Sequence, residues 1–187
     1  MTTTEATSKR TITALVEDKP GVLNRVASMF RRRGFNIASL AVGHSEMPGL
    51  SRMTFVVEGD DGTVEQVAKH LHKLIDVIKV SDISDQNIVS RELALIRVRG
   101  DVKTRSEIMQ IVDIYRANIV DVGPDSLIVE TSGDEQKVDS LHEVLKGFGV
   151  LEVMRTGTIA MDRGAGDKVV KPHAKSSPRD WGESSSV

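Results

Sequence analysis

Asn36-Ile37-Ala38-Ser39-Leu40 returns as Asn118-Ile119-Val120-Asp121-Val122, position 118 against position 36, an offset of 82. Thr11 and Leu93 open β-prone runs at the same spacing. A repeat of this length is one supersecondary unit used twice, so it decides the fold before any single element does. Outward from the first copy, Ile12 to Glu17 reads as a strand. Val22, Val26, Met29 and Phe30 recur at i, i+4, i+7 and i+8, the buried stripe of a helix. Arg31-Arg32-Arg33 and Gly34 close that helix, cations suiting its negative end and glycine its cap. Asn36 to Ser45 is a strand, Met47-Pro48-Gly49 a turn, and Leu50 to Glu58 a second strand. Gly59-Asp60-Asp61-Gly62 reads as a loop before a helix marked by Val64, Val67, Ala68, Leu71 and Leu74. Val77 to Ile83 is the last β-prone run, and the order is βαββαβ.

The second copy repeats it. Leu93 to Val98 is a strand, Ile108, Ile111, Val112 and Tyr115 mark a helix, and Ala117 to Val122 is a strand. Gly123-Pro124-Asp125 turns the chain into Leu127 to Thr131. Val138, Leu141 and Leu145 form a helix, and Val150 to Ala160 closes the unit. The fold expected is α+β, with two tandem ferredoxin-like βαββαβ modules. The first spans residues 10–84, a linker 85–90, and the second 91–161. From 162 to 187 periodicity is lost among Gly164, Gly166, Pro172, Pro178 and serines, so a disordered polar tail carrying Trp181 is expected. Met29, Met53, Met109, Val64 and Val67 are assigned to the cores.

Composition narrows the function. A net charge of -2 over 187 residues gives no electrostatic reason to seek nucleic acid or an anionic membrane. The absence of cysteine excludes disulfides and thiolate metal sites and fits a reducing, cytoplasmic setting. No apolar run approaches the roughly 20 residues needed to cross a bilayer. Met1 to Lys9 is polar and Thr-rich, without the apolar core of a secretory signal.

One turn stands out chemically: Asp18-Lys19-Pro20-Gly21-Val22-Leu23, between the first strand and helix. Pro20 has no N–H to lose and pre-sets φ for a first helical turn. Gly21 permits close approach of a ligand to the backbone. The N–H groups of Gly21, Val22 and Leu23 then fall among the unpaired donors at the positive helix end, a cradle for a small carboxylate. Asp18 answers a ligand ammonium and Asn36 offers an amide, so the pocket suits a free amino acid. In the second copy Gly100-Asp101-Val102-Lys103 stands at the equivalent place, and the Pro-Gly turn is gone.

Other chemistry is weakly supported. No nucleophile–base pattern stands out. His70 and His72, two apart on a helix, fall on different faces, and no metal site is expected there. His44 and His142 read as isolated surface or packing residues, and Asp60-Asp61 as a turn. An RNA-recognition module shares the βαββαβ order, but its stacking aromatics are missing: aromatics are 3% of the chain and Leu50 to Glu58 offers only Phe55. A stand-alone amino-acid sensor is the other alternative.

With those elements in place the chain resembles an ACT domain, an amino-acid-sensing module. Arg33-Gly34-Phe35-Asn36-Ile37-Ala38-Ser39-Leu40, Leu50-Ser51-Arg52-Met53-Thr54 and His70-Leu71-His72-Lys73-Leu74-Ile75-Asp76-Val77 are similar to the regulatory small subunits of acetolactate synthase (acetohydroxyacid synthase). Arg91-Glu92-Leu93 and Ile119-Val120-Asp121-Val122 extend the likeness into an ACT-like second module, so it covers about residues 10 to 161. The resemblance implies a non-catalytic subunit without a cofactor of its own. It implies a catalytic large subunit carrying thiamine diphosphate, Mg and FAD, which this chain activates and makes sensitive to valine in branched-chain amino acid biosynthesis. It implies a homodimer through the first modules, with effector carboxylate on Gly21, Val22 and Leu23. Asp18 completes the site, and Asn36 and Ile37 come from the neighbouring protomer. Asp18 departs from the Asn frequent at that place, and the tail from 162 departs from the family pattern.

Overall fold

The computed structural model describes residues 8–164. In the first module β1 (Ser8–Glu17) leads through α1 (Val22–Arg33) to β2 (Ile37–His44) and β3 (Leu50–Gly59), then through α2 (Asp61–His72) to β4 (Val77–Asp82). The strands form an antiparallel sheet ordered β2-β3-β1-β4. Ile12, Ala14 and Val16 alternate toward the helices and meet Val22, Val26, Met29 and Phe30 of α1 and Val64, Val67 and Leu71 of α2 in one core. Phe30 stacks on Phe55 at 5.4 Å. Beyond α1, Gly34 turns left-handed and Phe35 N–H donates to the Phe30 carbonyl, so the helix ends where glycine was read.

The second module repeats the plan with β5 (Ile88–Arg99), α3 (Arg105–Ile114), β6 (Asn118–Val122), β7 (Ser126–Gly133), α4 (Glu135–Lys146) and β8 (Val150–Arg155), ordered β6-β7-β5-β8. Its core is Ala94, Ile96, Val98, Ile108, Val112, Leu127, Val129, Val138, Leu141 and Leu145. Even irregularities repeat: β2 bulges between Ile37 and Ser39, and β6 between Ile119 and Asp121.

Several expectations need correction. Residues 88–90, read as linker, are the start of β5, where Ile88, Val89 and Ser90 pair with a ninth strand, β9 (Ile159–Asp162). Asp162 therefore belongs to a strand, not to the tail, and Arg163 N–H still donates to the Asn87 carbonyl. The run Val150 to Ala160 is broken by Thr156-Gly157-Thr158 into β8 and β9. Asp60 is no loop residue but the cap of α2, its carboxylate accepting Thr63 N–H at 2.7 Å. Met109 is 49% exposed rather than in the core, one position off the buried stripe. Trp181 and the remainder of the tail lie outside the described residues.

The break at 156–158 joins the modules. Thr158 N–H donates to Ser39 Oγ on β2 at 2.9 Å. Gly157 has φ +80, and a Cβ there would stand 2.8 Å from Ser39 Oγ and 3.1 Å from the Leu40 carbonyl oxygen. An alanine would meet both left-handed strain and a backbone that cannot yield. Gly157→Ala is expected to lower stability by about 2 kcal/mol. Paired urea-unfolding curves with Ser39→Ala/Gly157→Ala check it: removing the hydroxyl should return only part of the loss, because the Leu40 carbonyl stays.

Candidate functional site

The Asp18–Leu23 turn sits at the end of β1. Pro20 is not the first helical residue, as its chemistry had implied. It is the second residue of a type II turn, Lys19-Pro20-Gly21-Val22, with Gly21 at φ 87, ψ -10 and Val22 N–H directed to the Lys19 carbonyl at 3.4 Å. A type II turn demands φ > 0 at its third residue, which is why glycine stands there. The helix starts one residue later, and the Gly21 carbonyl takes Arg25 N–H at 3.0 Å. Among the described residues the N–H groups of Gly21, Leu23 and Asn24 have no acceptor, and no acidic side chain lies in the first turn of α1. The open donors are thus Gly21, Leu23 and Asn24; the turn engages that of Val22, whose buried side chain anchors it.

Asp18 N–H donates to the Gly49 carbonyl at 2.8 Å, and its half-exposed carboxylate lies 3.1 Å from His44 Nδ1. His44 is thus a surface residue, as read, but one with an acidic neighbour. Lys19 pairs with Glu17 and reaches the buried carboxylate of Asp76 at 3.1 Å. Glu17 first and then Asp76 hold the Lys19 ammonium above its ordinary pKa.

Asn36 and Ile37 lie elsewhere in the same protomer. Through β3, Ile37 aligns with Arg10 near the start of β1, whereas His44 aligns with Val16 near its end. The seven steps from Ile37 to His44, at about 3.3 Å each, separate the ends of β2 by about 23 Å, and Asn36 lies beyond the end far from the turn. Asn36 Nδ2 donates to Glu58 Oε2 at 3.1 Å, and Ile37 packs against the core. One chain brings together Asp18, Gly21, Val22 and Leu23, and leaves Asn36 and Ile37 at the far end of the outer strand.

The second module shows what the open turn lacks. Asp101 accepts Lys103 N–H, Thr104 N–H and Thr104 Oγ1–H, each at 2.9 Å. Its own carboxylate fills the cradle, and Arg105 ties the turn to the carbonyls of Gly100, Gly123 and Pro124. Those bonds to Thr104 and Lys103 hold the Asp101 carboxyl below the usual carboxylate range. A depressed folded pKa gives stability that is present above the unfolded value, about 3.9, and lost as pH falls through the folded one. The stability gap between wild type and Asp101→Asn is therefore expected to be full at pH 6 and to shrink below about pH 4, read from urea midpoints.

Two clefts of about 360 and about 470 Å³ lie at the module junction, the larger lined by Val42, Arg52, Val89, Arg91, Ile159 and Met161. Neither is lined by a residue of the turn. Phe55 is fully buried, so β3 presents no aromatic for stacking a base, and the RNA reading loses its one candidate. Among the described residues no cluster of three metal-binding side chains occurs, and no helix is long and apolar enough to cross a membrane.

Comparison with known proteins matches both modules separately. Residues 12–79 fit an AHAS small subunit-like ACT domain, and residues 91–164 fit the small subunit of acetolactate synthase. The chain belongs to the acetolactate synthase small subunit family. It is 56% identical over 156 residues to the probable acetolactate synthase small subunit of Archaeoglobus fulgidus, covering 83% of this chain and 98% of that one. It is 49% identical over 162 residues to the small subunit of Bacillus subtilis, covering 86% and 94%. The crystal structure of the Thermotoga maritima small subunit, 45% identical, superposes with a TM-score of 0.79 over 84% of this chain and 98% of that one. The small-subunit likeness thus spans the open turn, the filled turn and the strand β9, whose last residue, Asp162, had been read as the start of the tail.

Asn24, Arg25, His44 and Asp76 around the turn escaped the reading of the sequence. Asp76 carried a signal: it is a lone acid inside the apolar run Leu74-Ile75-Asp76-Val77-Ile78, and a charge there needs a partner. Arg25 carried one too, standing four residues beyond Gly21, about one helical turn along.

Proposed function

We propose that this chain is a regulatory subunit that binds a branched-chain amino acid at the Pro20–Gly21 turn and tunes a separate catalytic subunit. That partner carries thiamine diphosphate, Mg and FAD and does all the chemistry. The observation carrying the reading is the contrast between the two copies of one turn: unfilled amides on Gly21, Leu23 and Asn24, against a second turn whose amides at 103 and 104, the equivalents of 21 and 22, are taken by Asp101. An effector carboxylate takes those amides, and Asp18 takes its ammonium.

The gap between the turn and Asn36, more than about 23 Å, is closed by a second copy. β2 is the outer strand of its sheet, and two such edges paired antiparallel about a two-fold axis bring Asn36 and Ile37 of one protomer to the Asp18 end of its partner. A site split across that interface binds better in one arrangement of the dimer than in another. That difference is what a ligand needs to shift an equilibrium felt by the catalytic subunit.

Valine is the expected effector. Leucine differs by one methylene, worth about 1–3 kcal/mol in an apolar pocket, so leucine binds more weakly but measurably. Calorimetric titration of the full chain with valine, leucine and isoleucine, followed by reconstitution with the large subunit, tests the reading. Binding in the absence of the large subunit, with activation and valine inhibition after mixing, supports it. A chain that binds these amino acids yet captures no large subunit is a stand-alone sensor.

A further inference from the structure

Helix electrostatics alone would not place a cation at Arg25. It is the fourth residue of α1, near the positive end of the dipole, where acids are favoured and none is present. Helical side chains lean toward the N-terminus. Arg25 does so, and its Nη2 lies 4.0 Å from the place a Cβ on Gly21 would occupy.

Asp76 holds it there. This carboxylate, between α2 and β4, is only 3% exposed. Arg25 Nε stands 2.7 Å from Oδ2 but off line for a hydrogen bond, so that buried oxygen has an ion-pair partner and no hydrogen-bond donor. Lys19 Nζ takes the other oxygen at 3.1 Å. A buried carboxylate needs such partners, and it fixes the guanidinium by one edge. Among the described residues both Nη groups remain without an acceptor, and Nη2 stands beside Gly21, whose N–H is open. A planar fork with two free donors beside bare backbone amides matches the geometry of one carboxylate.

We propose that Arg25 is the side-chain arm of the carboxylate subsite and that buried Asp76 positions it; this rests on the reading that the turn takes a free amino acid. Arg25 binds the ligand directly, whereas Asp76 acts through Arg25 and Lys19.

The test is calorimetry on the full chain with L-valine and with L-valinamide, which keeps the ammonium and side chain but has no carboxylate. Arg25→Ala is expected to weaken valine about 10- to 100-fold, the value of a charge-assisted hydrogen bond, and to leave valinamide unchanged. Arg25→Lys should recover part of the valine affinity, and Asp76→Asn should lower it in the same direction by less. Unchanged valine affinity in Arg25→Ala overturns the assignment. So does an equal loss for valine and valinamide, which marks a structural role; Arg25→Lys read with both ligands decides the matter if the alanine variant folds poorly. Wild-type chain binding no branched-chain amino acid overturns the reading of the turn itself, and the assignment with it.

Discussion

Gly21→Asp is expected to abolish valine binding and valine inhibition while leaving activation of the catalytic subunit in place. The variant puts an acid at the head of α1, as Asp101 does two positions earlier, at the equivalent of Lys19, in the second module. At Asp101 a side-chain carboxylate accepts the backbone N–H groups of residues 103 and 104, the equivalents of 21 and 22. A carboxylate on residue 21 would likewise occupy the open amides, and Arg25 Nη2 is 4.0 Å from its Cβ. The ligand then loses two charge-assisted hydrogen bonds, about 1.5–3 kcal/mol each, and meets a like charge. Affinity should fall on the order of 100-fold or more. The backbone cost of a side chain at φ 87 is smaller, about 1–2 kcal/mol, and aspartate is among the residues that tolerate it. Gly21→Ala isolates that cost, since it has the strain without the charge and should keep much of the affinity. Reconstituted enzyme assayed over a valine series, with each variant, reads the outcome. Wild-type inhibition in Gly21→Asp would remove the turn from the mechanism.

How far the site could be read beforehand follows from the range of the interactions. Gly21 was legible because a Pro-Gly pair between a strand and a helix has few conformational solutions. Its exact role was not, since φ 87 excludes it from the helix and moves Pro20 into the preceding turn. Ion pairs such as Arg25–Asp76 and contacts such as Asp18–His44 join positions far apart in sequence, and no local pattern announces them. The same holds for β9, which pairs with residues 88–91 across the whole length of the second module.

The repeat was legible through its sequence and also went further than its sequence. Gly34 closes α1 at φ 70, and Arg116, at the equivalent position of the second module, takes φ 50 without being glycine. The two modules share a left-handed conformation at this position with different residue types in it. Met109 shows the opposite limit. Ile108, Ile111, Val112 and Tyr115 already define the buried stripe of α3, and a residue one step along is rotated about 100° away from it.

Arg155→Ala is expected to produce the largest loss of stability among single changes at the junction. Arg155 on β8 bridges two acids: Nη2 pairs with Glu92 on β5, and Nη1 lies 2.7 Å from Asp139 on α4. The two partners differ in burial, with Glu92 only 5% exposed and Asp139 53% exposed. Losing the contact with Asp139 costs no more than about 1 kcal/mol, as for surface pairs. Losing the contact with Glu92 strands a buried carboxylate, for which about 3–5 kcal/mol is typical. Arg155 itself is 31% exposed, so water relieves part of this and about 3 kcal/mol is the expected total. For a module this small that is a fall of about 10 °C or more in its melting temperature. Calorimetric scans of Arg155→Ala, Glu92→Gln and the double variant separate the contributions. The double variant should be more stable than Arg155→Ala alone, because the uncompensated charge is gone, whereas additive losses would mean that the pair is worth no more than a surface contact. Thr156 follows directly and exchanges hydrogen bonds with Leu93, and Gly157 and Thr158 then rest on β2. Loosening Arg155 thus also releases the segment by which the second module holds the strand that begins at Ile37. Valine inhibition should weaken in the same variant before the turn's own affinity for valine does.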